Sequence, residues 1–303
     1  MDTDKTYAYS DIERWNFSGT ALAVIGQPIQ HSLSPTIQNA FIRSLSERDP
    51  SFSTWAYFKF EIDPSMLSEA LQLFHSKKFL GLNLTLPHKV LALDSVQVVS
   101  ETAENIGAIN TLKWTPSGYV GHNTDGYGLE MGIRSALGLG LKNANVLILG
   151  AGGAARAAVV QALKQGARSI YIRNRSKGRL DALMKDLSGL VGFHTIQSIE
   201  TTEALAELPE QGICINATSL GLKAEDPLPL DLTLVPAEWS VYDMVYNPKE
   251  TQWTQQAAEQ NRMQSTGLGM LIHQGARAFE LWSEKKVDAL IMEQAAEKAL
   301  EIK

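Results

Sequence analysis

The segment Asn145-Val146-Leu147-Ile148-Leu149 runs without a break into Gly150-Ala151-Gly152-Gly153-Ala154-Ala155, and no other stretch restricts the fold as much. Its aliphatic run leaves both faces of a strand apolar. That pattern belongs to a parallel strand covered on two sides, not to a half-exposed antiparallel one. After the glycines, Ala155, Ala158, Val159, Ala162 and Leu163 fall on one helical stripe, and Gly166 suits the position just past a helix end. A buried strand, a glycine turn and a helix in that order open a parallel α/β unit.

The rest of the chain keeps this rhythm. Apolar runs at 21–25, 55–60, 81–86, 169–172, 212–216 and 240–244 predict further strands. Helical spacing at 35–45, 64–74, 154–164 and 179–187 predicts the helices between them, and two longer helices are expected at 270–283 and 287–301. A length of 303 residues fits two domains. Gly121, Gly126 and Gly128 mark one break and Gly267 and Gly269 a second. Residues 1–20 lack periodicity and are expected to form a loosely held extension.

Composition removes several function classes. The net charge of −6 suits neither a nucleic acid nor an anionic membrane as partner. The single cysteine, Cys214, forms no internal disulfide and reads as inert core between Ile213 and Ile215. The six histidines show no ligand spacing with carboxylates, so no metal is expected. The polar, acidic start Met1-Asp2-Thr3-Asp4-Lys5 is unlike a signal or transit peptide, and no apolar run reaches the ~18 residues of a membrane span. A cytoplasmic location is expected.

The glycine turn has a physical task. Its residues permit a tight turn and a close backbone approach to a pyrophosphate, while the free N–H groups and dipole of the helix start attract the anion. A tight turn with no ligand is the plain alternative. In an NAD site a carboxylate about 20 residues on accepts from the ribose 2′-hydroxyl. Here the next strand ends in Arg173-Asn174-Arg175-Ser176-Lys177, and Asn174 stands 24 residues after Gly150 with no carboxylate beside it. Arg175 and Ser176, joined by Arg179, offer donors suited to a 2′-phosphate, so NADP is the expected cofactor; a solvated basic turn is the alternative.

In the first block, Gly81-Leu82-Asn83-Leu84-Thr85-Leu86-Pro87-His88-Lys89 places Asn83 and Thr85 on one strand face. Parallel strands are seldom polar there, so the polarity calls for a use. Pro87 suits the first position of a helix, which would put Lys89 in its first turn, where the dipole disfavours a cation. A residue that breaks a local rule marks a functional site, and a lysine so placed suits general acid–base work; a snorkelling surface lysine is the alternative. Ser34 before Pro35 reads as a helix N-cap or a ligand-binding hydroxyl, with Ser32 two residues earlier. Asn110-Thr111 and Asn123-Thr124-Asp125 add amides, hydroxyls and a carboxylate suited to a small polyhydroxylated substrate.

Nine segments in order resemble the shikimate dehydrogenase family, within the shikimate/quinate dehydrogenase superfamily. They are VIGQPIQHSLSP at 24–35, GLNLTLPHK at 81–89, GAINTL at 107–112, NTDG at 123–126, LGAGGAARA at 149–157, NRS at 174–176, INATSLG at 215–221, YDMVYNP at 242–248 and GLGMLIHQGA at 267–276. The resemblance implies an α/β fold in two domains. A substrate domain with a mainly parallel sheet would take 1–124 plus 267–303, and a Rossmann-like, doubly wound NADP domain would take 125–266. It implies NADP-dependent, reversible reduction of 3-dehydroshikimate to shikimate on the route to chorismate and the aromatic amino acids. Lys89 would be the acid–base residue and Asp125 its partner. Ser32, Ser34, Thr85, Asn110, Asp125, Tyr246 and Gln274 would hold the substrate. Gly150, Ala151, Gly152, Gly153, Ala154 and Ala155 would hold the pyrophosphate, Asn174, Arg175, Ser176 and Arg179 the 2′-phosphate, and Met244 and Gly267 the nicotinamide end. A small-molecule partner and a monomer or homodimer are expected.

The sequence departs from the family at His122, where an acidic or aromatic residue is more familiar, and at Leu84 in place of a more usual valine. His122 reads as loop variation, with a second proton carrier as the alternative, and Leu84 as a core swap. Two rival readings stand beside this one. An enzyme using quinate as well as shikimate would differ on the Ser32/Ser34 side, and a non-catalytic NADP sensor would have lost Lys89 and Asp125, which are both present. Arg175→Asp is expected to weaken NADP binding far more than NAD binding; titration of both nucleotides showing equal affinities before and after would remove the basis for NADP.

Overall fold

The computed structural model describes residues 1–301; positions 302 and 303, which the sequence reading assigned to the first domain, lie outside the described residues. The chain separates into two compact units, Met1–Thr124 with Gly275–Lys303, and Asp125–Gln274.

The first unit is built from β1 (Thr6–Ala8), α1 (Tyr9–Glu13), β2 (Thr20–Gly26), α2 (Ser34–Ser46), β3 (Trp55–Glu61), α3 (Leu67–Ser76), β4 (Gly81–Leu84), α4 (His88–Leu91), β5 (Val98–Val99), α5 (Glu101–Ile106), β6 (Thr111–Thr115) and β7 (Gly118–His122). Its sheet has the order β1-β3-β2-β4-β6-β7-β5. The strands from β1 to β4 pair in parallel, β6 runs antiparallel to β4 and β7, and β5 is parallel to β7. The sheet is therefore mainly parallel with an antiparallel insertion that periodicity did not reveal. β6 and β7 carry Lys113, Thr115 and His122 among their apolar residues, so they lack the continuous apolar run that marked the other strands.

The N-terminal segment is no loose extension. β1 pairs with β3, Thr6 opposite Lys59 and Ala8 opposite Glu61. Tyr7, Ile12 and Trp15 are buried in the core beneath the sheet. Trp15 sits edge-on to Phe58 at 4.8 Å between ring centroids and to Tyr7 at 5.4 Å. The aromatic residues are too few and too widely spaced to show a period, yet together they bury a large apolar area.

The second unit contains α6 (Asp125–Leu137), β8 (Asn145–Leu149), α7 (Gly153–Gln165), β9 (Ser169–Arg173), α8 (Lys177–Leu187), β10 (Ile196–Ser198), α9 (Glu203–Ala206), β11 (Gln211–Asn216), β12 (Glu238–Asp243), α10 (Gln252–Glu259) and β13 (Gln264–Thr266). Its six strands are all parallel in the order β10-β9-β8-β11-β12-β13. Counted within the unit this is 3-2-1-4-5-6, the doubly wound dinucleotide-binding order, with its switch point between β8 and β11.

α11 (Leu268–Ser283) begins in the second unit, so the units divide at 274/275 and not at the 266/267 expected from sequence. The Met270 N–H donates to the Tyr242 hydroxyl at 3.2 Å, and a Cβ on Gly132 of α6 would stand 2.8 Å from the Met270 nitrogen. That close approach holds the first turns of α11 to α6. Beyond Gly275 the chain belongs to the first unit. The Trp282 indole donates to the Leu112 carbonyl at 2.9 Å, Phe279 meets Phe41 of α2 edge-on at 5.1 Å, and α12 (Ala289–Glu301) packs along α2.

Among the described residues no helix is long and apolar enough to cross a membrane. Trp15→Ala is expected to cost about 3–5 kcal/mol, the usual penalty for truncating a buried aromatic residue. Chemical denaturation giving a loss below about 1 kcal/mol would return residues 1–20 to the role of an unpacked extension.

Candidate functional site

In the first unit, Ser32, Ser34, Thr85, Lys89 and Asn110 gather at one end of the central strands, because each follows the carboxyl end of β2 or β4 or precedes the antiparallel β6. Backbone hydrogen bonds stitch these loops together. The Thr85 N–H donates to Ile25 at 3.0 Å, Gln27 to Leu86 at 3.2 Å, and Ile109 to the Lys89 carbonyl at 2.7 Å. The last bond ties the turn carrying Lys89 to the residue before Asn110.

Asn110 is fixed in turn. Its Oδ1 accepts from the Thr124 N–H at 2.8 Å and from the Thr111 hydroxyl at 2.9 Å, and its Nδ2 donates to the Thr124 hydroxyl at 3.0 Å. Asn83 accepts from the Tyr57 hydroxyl at 2.7 Å and donates to Thr111 Oγ1 at 3.1 Å. The polarity that the sequence reading noticed at Asn83 thus serves a buried network, and a satisfied network of this kind holds a strand end rigid.

Two local expectations change. Leu33 and not Ser34 is the N-cap of α2, and Ser34 is its first helical residue. The Ser32 hydroxyl accepts from the Ser34 N–H at 3.3 Å, closing a turn just before the helix, and no side chain caps α2. Pro87 is likewise the cap of α4 instead of its first residue, and α4 is a single turn of four residues. The dipole that the sequence reading set against Lys89 is therefore short, and the Lys89 carbonyl is held by the bond from Ile109.

In the second unit, Gly150 takes φ +119°, and a Cβ there would stand 2.9 Å from the Ala217 oxygen. Only glycine suits both demands. At Gly152 and Gly153 a Cβ would meet nothing within 4 Å, and no side chain caps α7. The first-turn N–H groups, with Ala151 and the exposed Ala154 beside them and Ala155 fully buried behind, thus border open space at the switch point, a cradle that fits a dinucleotide pyrophosphate. At the end of β9, Arg175, Ser176 and Arg179 are exposed and the Asn174 amide donates to the Ser176 carbonyl at 2.9 Å. The turn holds donors and no carboxylate, which fits a 2′-phosphate. Met244 and Tyr246 follow β12 and Gly267 follows β13, at the same end of the sheet. Burial raises the pKa of the Tyr246 phenol. Asp125 opens α6, and the Gln274 amide donates to the Leu271 carbonyl at 2.9 Å. Among the described residues no group of three or more His, Cys, Asp and Glu could hold a metal ion. Cys214 is buried, and burial pushes its thiol pKa up.

Sequence reading missed the partners Asn216, Asp243 and Thr251. The Asp243 carboxylate is fully buried and accepts from the Asn216 amide at 2.8 Å, the Val245 N–H at 3.0 Å and the Thr251 hydroxyl at 2.7 Å. Burial moves its pKa up, against the opposing pull of those three donors. An acidic residue closing the apolar run Val241-Tyr242 was the signal available in the sequence.

Three family models match the chain: the shikimate dehydrogenase substrate binding domain over residues 24–112, shikimate/quinate 5-dehydrogenase over 133–221, and the shikimate 5′-dehydrogenase C-terminal domain over 267–297. A shikimate dehydrogenase (NADP(+)) of Symbiobacterium thermophilum is 34% identical over 93% of this chain and 95% of its own length. The crystal structure of shikimate dehydrogenase from Aquifex aeolicus superposes with a TM-score of 0.81 at 32% identity, covering 93% of this chain and 98% of that one. Shikimate 5-dehydrogenase from Thermus thermophilus, solved in complex with NADP(H) and shikimate, gives 0.80 at 32% identity, covering 92% and 99%.

His88, next to Lys89, is fully buried with neither ring nitrogen hydrogen-bonded. Desolvation lowers its pKa, outweighing the opposing pulls of the Ile62 backbone and the Asp63 carboxylate. The folded state thus disfavours the charged ring, while the unfolded chain protonates near the ordinary pKa of about 6.5. Stability from this group is fully present above that pH and is lost as pH falls through it. His122, lowered by desolvation and then by Lys113 and Arg277, and His273, lowered by desolvation, act in the same direction. Tm should therefore fall between about pH 7.5 and 5.5, and His88→Phe should shrink the fall; an undiminished fall in the variant would show that His88 does not contribute.

Proposed function

The chain belongs to the shikimate dehydrogenase family, and we propose that it interconverts shikimate and 3-dehydroshikimate reversibly with NADP. The observation that carries this reading is the attachment of Lys89 to the polar strand end of the first unit: its carbonyl is held by Ile109, and the next residue, Asn110, is fixed by Thr111 and Thr124. An acid–base group on a rigid mount, among hydroxyls and amides, suits a small polyhydroxylated substrate.

NADP, when bound, supplies the hydride chemistry at C3. Lys89 takes the C3 hydroxyl proton when shikimate is oxidised and returns it when 3-dehydroshikimate is reduced, with Asp125 as its partner at that hydroxyl. Ser32, Ser34, Thr85, Asn110, Tyr246 and Gln274 orient the remaining hydroxyls and the carboxylate. The turn from Gly150 through Ala151, Gly152, Gly153 and Ala154 to Ala155 binds the pyrophosphate. Asn174, Arg175, Ser176 and Arg179 bind the 2′-phosphate, and Met244 and Gly267 border the nicotinamide. The first unit is accordingly the substrate domain and the second the NADP domain. The protein works on small molecules in the cytoplasm as a monomer or homodimer.

Lys89→Ala should lower kcat by about 10²-fold or more with KM little changed, the scale of a lost acid–base group. Steady-state kinetics showing near-full turnover would refute the assignment. NADPH oxidation measured with 3-dehydroshikimate beside 3-dehydroquinate separates a shikimate enzyme from one that uses both acids, and comparable rates on the two would replace the narrower reading.

A further inference from the structure

Asp243 ends β12 with a carboxylate that reaches no solvent, an expensive arrangement unless every oxygen is served. Its three donors come from three different segments. Asn216 is its register partner on the neighbouring β11, Val245 opens the loop after β12, and Thr251 caps α10. One side chain therefore fixes the relative placement of three chain segments at the carboxyl end of the sheet, where doubly wound folds bind their ligands.

Each partner passes the constraint outward. The Asn216 amide also donates to the Leu220 carbonyl at 3.0 Å, and its oxygen accepts from the Thr218 N–H at 3.0 Å and the Thr218 hydroxyl at 2.7 Å. The loop 217–221 is thus wound about Asn216. That loop abuts the glycine turn: the Ala217 N–H donates to Leu149 at 2.9 Å, and its carbonyl lies against Gly150. On the other side, the Val245 carbonyl accepts from the Gly267 N–H at 3.0 Å, so the segment 244–246 is tied to the start of the next one. A continuous set of contacts runs from Gly150 through Ala217, Asn216, Asp243 and Val245 to Gly267. The turn of Arg175, Ser176 and Arg179 meets this set at its Gly150 end, where the Gly150 N–H donates to the Arg173 carbonyl at 2.8 Å, and it stands two strands away from β11 across β8.

We propose that Asp243 is a positioning residue for the nicotinamide half of the cofactor, acting through Asn216 and Val245 on the loops 217–221 and 244–248 and leaving the adenosine half unaffected. The inference rests on the reading that NADP occupies this crevice. A residue that merely stabilised the unit would weaken both halves of the site together. One that sets these two loops weakens only the half they border.

The test compares NADPH with adenosine 2′,5′-bisphosphate, which carries the adenosine half alone. Dissociation constants are measured by titration calorimetry for the wild-type chain, Asp243→Ala, Asp243→Asn and Thr251→Val. Asp243→Ala strands three buried donors and should weaken NADPH about tenfold or more, while the bisphosphate changes by less than about twofold. Asp243→Asn keeps an oxygen for Asn216 and Val245 and an amide for Thr251 Oγ1, and should recover most of the loss. If Asp243→Ala does not fold, Thr251→Val removes one donor and should give about a threefold loss confined to NADPH. Equal losses for both ligands, or no loss of NADPH affinity, overturn the proposal. Failure of the wild-type chain to bind the bisphosphate would instead bring down the NADP reading itself.

Discussion

The second unit depends on the placing of β8 between β9 and β11. With a neighbour on each side and helices on the faces, its backbone has no free edge and its side chains no solvent, so the run Val146-Leu147-Ile148-Leu149 is wholly buried. This strand leaves the sheet through Gly150, which turns with a positive φ against the Ala217 carbonyl. The open N–H groups of α7 follow from the same constraint, since a short turn without a capping side chain leaves them unclaimed.

The first unit solves a different problem. Its strand ends carry amides and hydroxyls that a parallel sheet would normally exclude. Tyr57, Asn83, Asn110, Thr111 and Thr124 satisfy one another in a connected network. Such a network commits the surrounding loops to one geometry, because moving any member strands a buried partner. A lysine mounted on that network needs less reorganisation to reach a reacting hydroxyl than one on a free loop. His88 shows the opposite economy: a buried ring with two unpaired nitrogens, tolerated in a turn whose neighbour is the proposed acid–base residue.

The two units also use buried polar groups differently. In the first, the network is neutral and links strand ends to one another. In the second, Asp243 places a buried carboxylate at the carboxyl end of the sheet and gathers donors from β11, the loop after β12 and the start of α10. Charge strengthens each of those bonds relative to a neutral pair, and its desolvation makes their absence costly.

The sequence by itself determined the parallel sheet of the second unit, the glycine turn and the basic turn after β9, because each is written in neighbouring residues whose period, glycine content or charge has a local meaning. The alternation of strands and helices was legible for the same reason. Tertiary structure alone decided the pairing of β1, the antiparallel β6 and β7, the division of α11 between units, and the partners of Asn83, Asn110 and Asp243. Strand direction and polar satisfaction depend on residues far apart in the chain. Thr6 meets Lys59, Asn216 meets Asp243, and Trp282 meets Leu112 only once the sheets are assembled. A single sequence records the need of a buried polar group for a partner, but not which distant residue answers it.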